Sequence, residues 1–314
     1  MDGMPNGWLR DPHAVELTTE RLAQSGPVLV GDVPGLKGYA NAQINKGILC
    51  VLAFDGEVKT FGDVRPVKGQ HRGTCVDQSG TYALTAQLAA ELGQNRIVGV
   101  PKVVPVGPQY AMVCRHSRGQ YGNTHRWGCN CGQCPDGLVV AHWAEIAATL
   151  GVVCEGTYGN IVLAGDSEEN CIQWRHNGVP PEILKAAALL QVSAYRPMNP
   201  EDLADCLFAR YFGHQGCGYT FDGFDGPFSK IRSLGGGGHA EADAGVYFNE
   251  AGEIAFVRRN SWFGTPKGPY KITLRGGRQI DLPIGAYPVS MRDMKRVMSD
   301  GETWVYQFKK AWRV

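Results

Sequence analysis

The sequence lacks several features that would restrict its function at once. Its 314 residues contain no apolar run of the roughly 18 needed to cross a bilayer, and 31 Lys and Arg against 30 Asp and Glu leave a net charge of +1. We therefore expect neither a nucleic-acid partner nor a membrane partner, because both are favoured by a strongly basic surface or a long apolar segment. The first seven residues have neither a basic start nor an apolar stretch, so no signal peptide is expected there and the compartment is undetermined.

Cysteine is present at an intermediate level, with ten residues in the chain. Cys129, Cys131 and Cys134 form a Cys-x-Cys-x-x-Cys cluster, and zinc prefers four tetrahedral sulfur or nitrogen ligands. The usual paired Cys-x-x-Cys spacing occurs only once here, so local disulfides or plain thiols are the competing interpretation. The prediction is that the protein needs no metal and no organic cofactor, with a structural zinc cluster kept as the rival.

The context of Cys75 is more informative than its presence. A polar, glycine-containing loop at residues 70–75 precedes it, and the alanine- and leucine-rich residues 82–92 favour a helix. This arrangement places a thiol at a helix N-terminus, where unpaired backbone N–H groups and the helix dipole stabilise a thiolate. Cys75 is thus a candidate nucleophile.

His239 and Asn260 are predicted to lie together on a β-hairpin. His239 follows four glycines and leads into a predicted strand at residues 240–248, and Asn260 follows a second predicted strand at residues 254–259. Residues 249–253 between them are rich in turn formers. In this arrangement His239 would move the proton of the thiol and Asn260 would orient the imidazole ring.

Several separate stretches of the chain resemble the papain family of cysteine peptidases. They are the run Asp-Val-Arg-Pro-Val-Lys-Gly-Gln at 63–70, Gly-Cys-Asn-Cys-Gly at 128–132, His-Ala at 239–240 and Asn-Ser-Trp at 260–262. The resemblance covers roughly residues 61 to 275. It implies an α+β, two-lobed papain-like fold, in which a helical lobe is followed by a twisted antiparallel β-sheet or barrel lobe and the active-site cleft lies between them.

The resemblance also implies the limits of the domains and the roles of further residues. The papain-like domain would span residues 61–280, with lobes at about 61–197 and 198–280, between an N-terminal extension (1–60) and a C-terminal extension (281–314). Gln70 would donate to the oxyanion, and Cys114 would form a disulfide with Cys171. The substrate would be a peptide or protein bound by Asn130, Cys131, Gly132, Gly238 and Trp262, with Trp262 also shielding the bond between His239 and Asn260.

Some positions depart from the pattern of the family. Gln70 lies one residue closer to the cysteine than usual, Val76 replaces an aromatic residue, and Arg72 replaces a cysteine of the usual loop disulfide. Asp77 places an acid near the thiol, which would oppose the thiolate.

The leading prediction is thiol-dependent hydrolysis of peptide bonds. The alternatives are a weakly active or inactive papain-fold subunit of a larger assembly, such as a virion or surface complex, and an amidase or acyltransferase that uses the same thiol.

The terminal extensions give weaker signals. Residues 48–61 are predicted as a β-hairpin around Asp55-Gly56, and residues 27–30 as a short strand, so nothing resembles the helical inhibitory propeptide of the family. The methionines of residues 291–298 are expected to pack on the core, with a partner-binding helix as the alternative. An assembly partner, if there is one, would bind through these extensions.

Overall fold

A computed structural model gives the fold of the chain. It describes residues 8–64, 73–94, 102–103, 111–112, 137–164, 173–174, 177–235, 238–262 and 269–309. In these ranges no helix combines the length and the apolar character that a membrane crossing requires.

The helices follow local signals in the sequence. Asn199 caps one of them by accepting a hydrogen bond from the N–H of Asp202 at 2.8 Å, and Pro200 takes its first position. In chain order the helices are α1 Pro12–Ala23, α2 Tyr39–Asn45, α3 Ala53–Phe61, α4 Cys75–Gln94, α5 Val140–Thr149, α6 Pro181–Ala187, α7 Pro200–Phe208 and α8 Met291–Asp300.

The strands form one large antiparallel sheet and three small hairpins. They are β1 Cys50–Leu52, β2 Gly156–Tyr158, β3 Ile161–Leu163, β4 Val192–Tyr195, β5 Gly213–Cys217, β6 Tyr219–Asp225, β7 Phe228–Ser233, β8 His239–Phe248, β9 Ile254–Arg259, β10 Tyr270–Thr273, β11 Gln279–Leu282, β12 Ala286–Ser290 and β13 Glu302–Phe308. The large sheet has the order β12-β9-β8-β5-β13-β4, with β1 paired to β8. It is an open sheet within the described residues, so the predicted antiparallel β lobe is present without a closed barrel.

Helix α4 lies against the sheet and carries the candidate nucleophile at its first residue. The predicted helix at residues 82–92 is confirmed, and it extends back to Cys75. Residues 75–90 are all buried. Gly80 allows α5 to approach, because a methyl group added there would lie 2.6 Å from the indole of Trp143. The same indole donates a hydrogen bond to the carboxylate of Asp77 at 2.7 Å, so this acid is held in the helix interface.

The predicted hairpin at residues 48–61 is wrong. Strand β1 occupies its first part, and α3 takes the place of the turn and the second strand. The Asp55-Gly56 pair lies inside α3 because this helix packs on α4: a methyl group on Gly56 would lie 3.5 Å from Cβ of Ala89. A buried ion pair of 3.2 Å between Glu57 and Arg259 joins α3 to β9. The described part of the N-terminal extension therefore contains the three helices α1, α2 and α3.

The C-terminal segment completes the sheet instead of lying outside the domain. Strand β13 pairs with β5 on one side and with β4 on the other, and β12 pairs with β9. In α8 the side chain of Met294 is fully buried, as expected for a core methionine. The predicted end of the papain-like domain at residue 280 therefore lies between strands that belong to one sheet.

Candidate active site

Cys75 begins α4 with its side chain fully buried against β8. The backbone N–H of Ala240 donates to its Sγ at 3.3 Å. A helix N-terminus and an N–H donor both favour negative charge on sulfur. The predicted position of the thiol at a helix N-terminus is therefore found, together with a donor that the sequence did not indicate.

His239 and Asn260 meet at the ends of two paired strands. Strand β8 begins at His239, β9 ends next to Asn260, and the two strands pair in antiparallel register. Nε2 of His239 lies 2.9 Å from Oδ1 of Asn260. The predicted hairpin thus brings together the two side chains that the sequence analysis had assigned to one site.

The hydrogen bonds of Asn260 fix the tautomer of His239. Oδ1 of Asn260 also accepts the backbone N–H of Trp262 at 2.8 Å, so this atom is the amide oxygen and not the nitrogen. Nε2 of His239 must then be the donor, which leaves the lone pair of the neutral ring on Nδ1. That Nδ1 is buried and makes no hydrogen bond with the residues described, so it is the atom able to take up a proton.

Trp262 covers the histidine ring. Its indole stacks on His239 with 4.0 Å between the ring centroids and 26° between the planes, and only 3% of its surface is exposed. Exclusion of water strengthens the hydrogen bond beneath it. This position fits the shielding role expected for Trp262.

Burial dominates the electrostatics of His239. It lowers the pKa of the ring to about 4, against the raising effects of Glu241 and of the bond to Asn260. The ring is therefore neutral near pH 7. A neutral imidazole is the form that a general base requires.

A buried acid behind the histidine was missed by the sequence analysis. Oε1 of Glu241 lies 3.7 Å from Nε2 of His239 and accepts the hydroxyl of Thr220 at 3.0 Å. Its other oxygen accepts the hydroxyl of Tyr287 and lies 3.5 Å from a guanidinium nitrogen of Arg258. Alternate residues of a strand share one face, so the spacing of 239 and 241 was the available signal.

Asp243 lies two residues after Glu241 on β8 and therefore belongs to the same acidic face of the strand. Nε of Arg258 lies 3.8 Å from its Oδ1, and both side chains are buried. Burial raises the pKa of Asp243 to about 7, with Arg258 opposing and Glu241 adding to the effect. Two acids and one arginine thus form a buried charged cluster beside the candidate base.

The N-terminal segment reaches the same site, which was also missed. The backbone N–H of Trp8 lies 3.4 Å from the carbonyl oxygen of Gly238, the residue before His239. The next N–H, from Leu9, donates to the carbonyl oxygen of Leu138 at 2.8 Å. Gly238, predicted to bind substrate, is therefore in contact with another part of the same chain.

Other predicted site residues lie outside the described ranges. They are Gln70, Asn130, Cys131 and Gly132 of the cleft, Cys129 and Cys134 of the zinc cluster, and Cys114 and Cys171 of the predicted disulfide. Within the described ranges no group of three or more metal-binding side chains occurs. Cysteines 50, 75, 154, 206 and 217 form no disulfide.

Comparison with known proteins identifies the fold. No protein-family model and no curated protein matches the chain. Xylellain, a cysteine protease from Xylella fastidiosa, is similar with a TM-score of 0.55 and 14% identity, over 98% of this chain and 97% of that one. A digestive procathepsin L 3 of Tenebrio molitor matches with a TM-score of 0.46 and 13% identity over 95% and 94% of the two chains. Bromelain from Ananas comosus matches with 0.42 and 14% over 83% and 99%.

The likeness to xylellain extends over nearly the whole of both chains and confirms the predicted α+β, papain-like fold. An identity of 14% shows the fold alone, because one fold carries many activities. Function therefore has to be argued from the geometry of the site.

Proposed function

We propose that the protein is a thiol-dependent peptidase in which Cys75 is the nucleophile, His239 the base and Asn260 the orienting residue. The observation that carries the proposal is the amide oxygen of Asn260, which accepts from Nε2 of His239 and from the N–H of Trp262. These two bonds leave Nδ1 of the ring as the proton acceptor. The neighbouring residue, Ala240, donates to the sulfur of Cys75.

The reaction would proceed in two acyl-transfer steps. The proton of the Cys75 thiol moves to Nδ1 of His239, and the sulfur attacks the peptide carbonyl carbon. The oxyanion collapses, the C–N bond breaks, and His239 returns the proton to the leaving amine. Water then attacks the thioester with His239 as base and releases the acid and the thiol.

The N-terminus of α4 supports the oxyanion as well as the thiolate. A tetrahedral intermediate at Cys75 would place its negative charge close to the N-terminus of α4, where the helix dipole favours an anion. On the basis of the family resemblance, Gln70 would be a second hydrogen-bond donor to the oxyanion. Residues 130–132 would line part of the cleft. Peptides or proteins are the substrate class.

A second candidate is a papain-fold binding subunit without turnover. The observation that favours it is burial: the side chains of Cys75, His239 and Asn260 are each 0% exposed. A site closed in this way does not admit a peptide. Either a covering segment moves away before catalysis, or the protein uses its fold for binding alone.

Selective alkylation separates the two candidates. Iodoacetamide at about pH 6 reacts slowly with an ordinary thiol, whose pKa is about 8.5, and rapidly with an activated one. We expect peptide mapping to find the label on Cys75, and its rate to fall at least about tenfold in His239→Ala, since general-base assistance typically contributes about a hundredfold or more.

Cys217 provides the matched control thiol. It is buried, it pairs with His239 across the sheet, and burial raises the pKa of its thiol to about 11. It should stay unlabelled. The measurement is made on the full chain and on Trp8→Ala, which removes the indole that packs against Gly238, the residue before His239. Equal rates at Cys75 with and without His239 in both backgrounds would overturn the proposed function.

A further inference from the structure

Glu241 places a buried carboxylate beside the imidazole of His239. The two residues lie two positions apart on β8, so their side chains share one face of the strand. Oε1 of Glu241 lies 3.7 Å from Nε2 of His239, and both side chains are 0% exposed. Nε2 is the same nitrogen that donates to Oδ1 of Asn260 at 2.9 Å. One N–H group therefore has two oxygen acceptors in its neighbourhood, an amide and a carboxylate.

The carboxylate of Glu241 is held in place from three other strands. The hydroxyl of Thr220, on β6, donates to Oε1 at 3.0 Å, and the hydroxyl of Tyr287, on β12, donates to Oε2. A guanidinium nitrogen of Arg258, on β9, lies 3.5 Å from Oε2. Hydrogen bonds to a charged oxygen are short and strong. They fix the oxygen nearest to the imidazole at a set distance from the ring.

The two acceptors differ in charge and in what else they bind. Oδ1 of Asn260 also accepts the N–H of Trp262 at 2.8 Å, so the neutral amide ties the ring to the loop after β9. To approach the ring nitrogen as closely as Asn260 does, Glu241 would have to move by about 0.8 Å, from 3.7 to 2.9 Å. A side-chain rotation can supply a movement of this size once the amide is removed.

Burial creates a need for a charged partner at His239. Proton transfer from the Cys75 thiol converts the ring to an imidazolium inside the protein, and a buried charge is costly unless it is paired. Burial lowers the pKa of the ring, the charge of Glu241 raises it, and the charge of Arg258 lowers it further. Glu241 can therefore compensate the charge of the imidazolium, whereas the neutral amide of Asn260 supplies only a hydrogen bond.

An acid present only to balance Arg258 would not need this position. Asp243 is such an acid, because it lies on the same face of β8 with its Oδ1 3.8 Å from Nε of Arg258. Its carboxylate oxygens accept no hydrogen bond from the described residues, whereas those of Glu241 accept two hydroxyls. Asp243 is also two residues further along the strand from His239. The two acids therefore offer a matched comparison within one cluster.

We propose that Glu241 is a second positioning residue for His239, which compensates the imidazolium and takes over the Nε2–H group when the amide of Asn260 is absent. In the unsubstituted chain the amide orients the ring and the carboxylate supplies the charge. In Asn260→Ala the carboxylate does both. This inference rests on the proposed function, and it adds a charged partner to a site whose orienting residue is a neutral amide.

The test is a double-mutant cycle of Asn260→Ala and Glu241→Gln in the full chain. Its readout is the rate at which an epoxysuccinyl peptide modifies Cys75, measured as a function of pH. Asn260→Ala alone should lower the maximal rate by less than about tenfold, because the carboxylate replaces the amide and the assistance of the base, worth about a hundredfold or more, is kept. Adding Glu241→Gln should cost about tenfold more than the product of the two single effects, a coupling typical of residues in one hydrogen-bond network.

Two further readouts separate positioning from a structural role. In Asn260→Ala the alkaline limb of the pH profile should move to higher pH, since an imidazolium bound directly to a carboxylate holds its proton more tightly. Nitrogen NMR of the histidine ring should show the proton still on Nε2, and the signal of that proton should move downfield because hydrogen bonds to charged acceptors are shorter. Adding Glu241→Gln should abolish both changes.

Asp243→Asn is the matched control. It removes a negative charge from the same face of β8 and from the same arginine, so it should show no coupling with Asn260→Ala and should leave the Nε2 proton signal in place. The other titratable groups around the ring are Cys217 on β5 and Tyr287 on β12. Burial raises the pKa of both, so they stay neutral over the pH range of the alkaline limb.

The outcomes separate this inference from the proposed function. If iodoacetamide labels Cys75 selectively but the effects of Asn260→Ala and Glu241→Gln multiply without coupling, the inference is wrong and the peptidase proposal stands. If Cys75 of the unsubstituted chain is not selectively labelled, the proposed function fails and the inference fails with it. If Glu241→Gln does not fold, Asn260→Ala decides alone: a loss of about a hundredfold or more, with the proton no longer fixed on Nε2, would contradict the inference.

Discussion

The buried acids near His239 are stabilised in two different ways, one for Glu302 and the other for the cluster of Glu241, Asp243 and Arg258. Glu302 receives three N–H donors, all neutral, from Trp8, Val140 and Ala141. The carboxylate oxygens of Asp243 have no hydrogen bond among the described residues, and nor do the guanidinium nitrogens of Arg258. The first acid is held by dipoles that the fold supplies. In the cluster, Glu241 accepts the hydroxyls of Thr220 and Tyr287, whereas Asp243 and Arg258 depend on the balance of their charges. Removing one charge should therefore matter more in the cluster.

The largest effect on stability is expected from Arg258→Met. It leaves Glu241 and Asp243 buried without their common partner, and breaking a buried pair in this way typically costs about 3 to 5 kcal/mol. Urea unfolding measures the loss. Arg10→Ala is the control, because an exposed pair such as Arg10 with Asp300 contributes about 0 to 1 kcal/mol. Similar losses in the two variants would show that the cluster is not held by charge balance.

Glu302→Gln should have a smaller effect. An amide keeps one acceptor oxygen but turns an NH₂ group towards an N–H donor, and an unsatisfied buried group costs about 1 to 3 kcal/mol. The loss should appear in urea unfolding, together with earlier hydrogen exchange at the N–H groups of Val140 and Ala141. Glu182→Gln, an exposed change in the first turn of α6, should leave both unchanged. An unaltered exchange pattern in Glu302→Gln would contradict the anchoring role.

Asp243→Asn tests the cluster through pH. Burial raises the pKa of Asp243 to about 7, whereas in the unfolded chain it is about 3.9. Between these values the folded protein holds more protons than the unfolded one, so this acid makes the protein less stable as pH rises from about 4 to about 7. The stability of Asp243→Asn relative to the natural chain should therefore increase over that range. Thr157→Ala, an exposed change on strand β2 that removes no titratable group, should show no such trend.

The smallest effect is expected from Glu241→Gln, on the pH profile of the active site. The substitution removes a negative charge 3.7 Å from Nε2 of His239, and this charge stabilises the imidazolium form of the ring. The imidazolium must protonate the epoxide oxygen when Cys75 opens the epoxide of the probe. The alkaline limb of Cys75 modification by an epoxysuccinyl peptide should move to lower pH by roughly one unit. Arg258 and Asn260 also face this region and stay in place. If the alkaline limb of the pH profile does not shift, Glu241 has only a structural role.

The parts of the site that the sequence predicted are those with local signals. Cys75 precedes a helix-forming stretch, and His239 and Asn260 lie at the ends of two strands joined by a short turn-rich segment. Each element is short-range, so propensity and spacing sufficed to place them.

Most of the errors and omissions involve contacts between distant parts of the chain; Glu241 differs, because its spacing from His239 on one strand was a local signal. The Asp55-Gly56 pair has the local chemistry of a turn, yet α3 forms there because it packs on α4. Trp8 and Glu302 are 294 residues apart, and no periodic pattern links them. The charge balance between Glu241 and Arg258 likewise depends on the register of β8 with β9.

By itself, the sequence indicated the three residues of the candidate triad, the helix that follows the thiol and the hairpin that carries the histidine, because nearest-neighbour preferences fix such elements. The tertiary structure alone decided that the indole of Trp8 packs between Gly216 and Gly238, that Glu302 accepts its N–H, and that residues 302–308 form an interior strand of the sheet. The physical reason is that burial and hydrogen bonding are set by whichever surfaces meet after folding. Pairs that meet across nearly the whole length of a chain leave no local signal in the sequence.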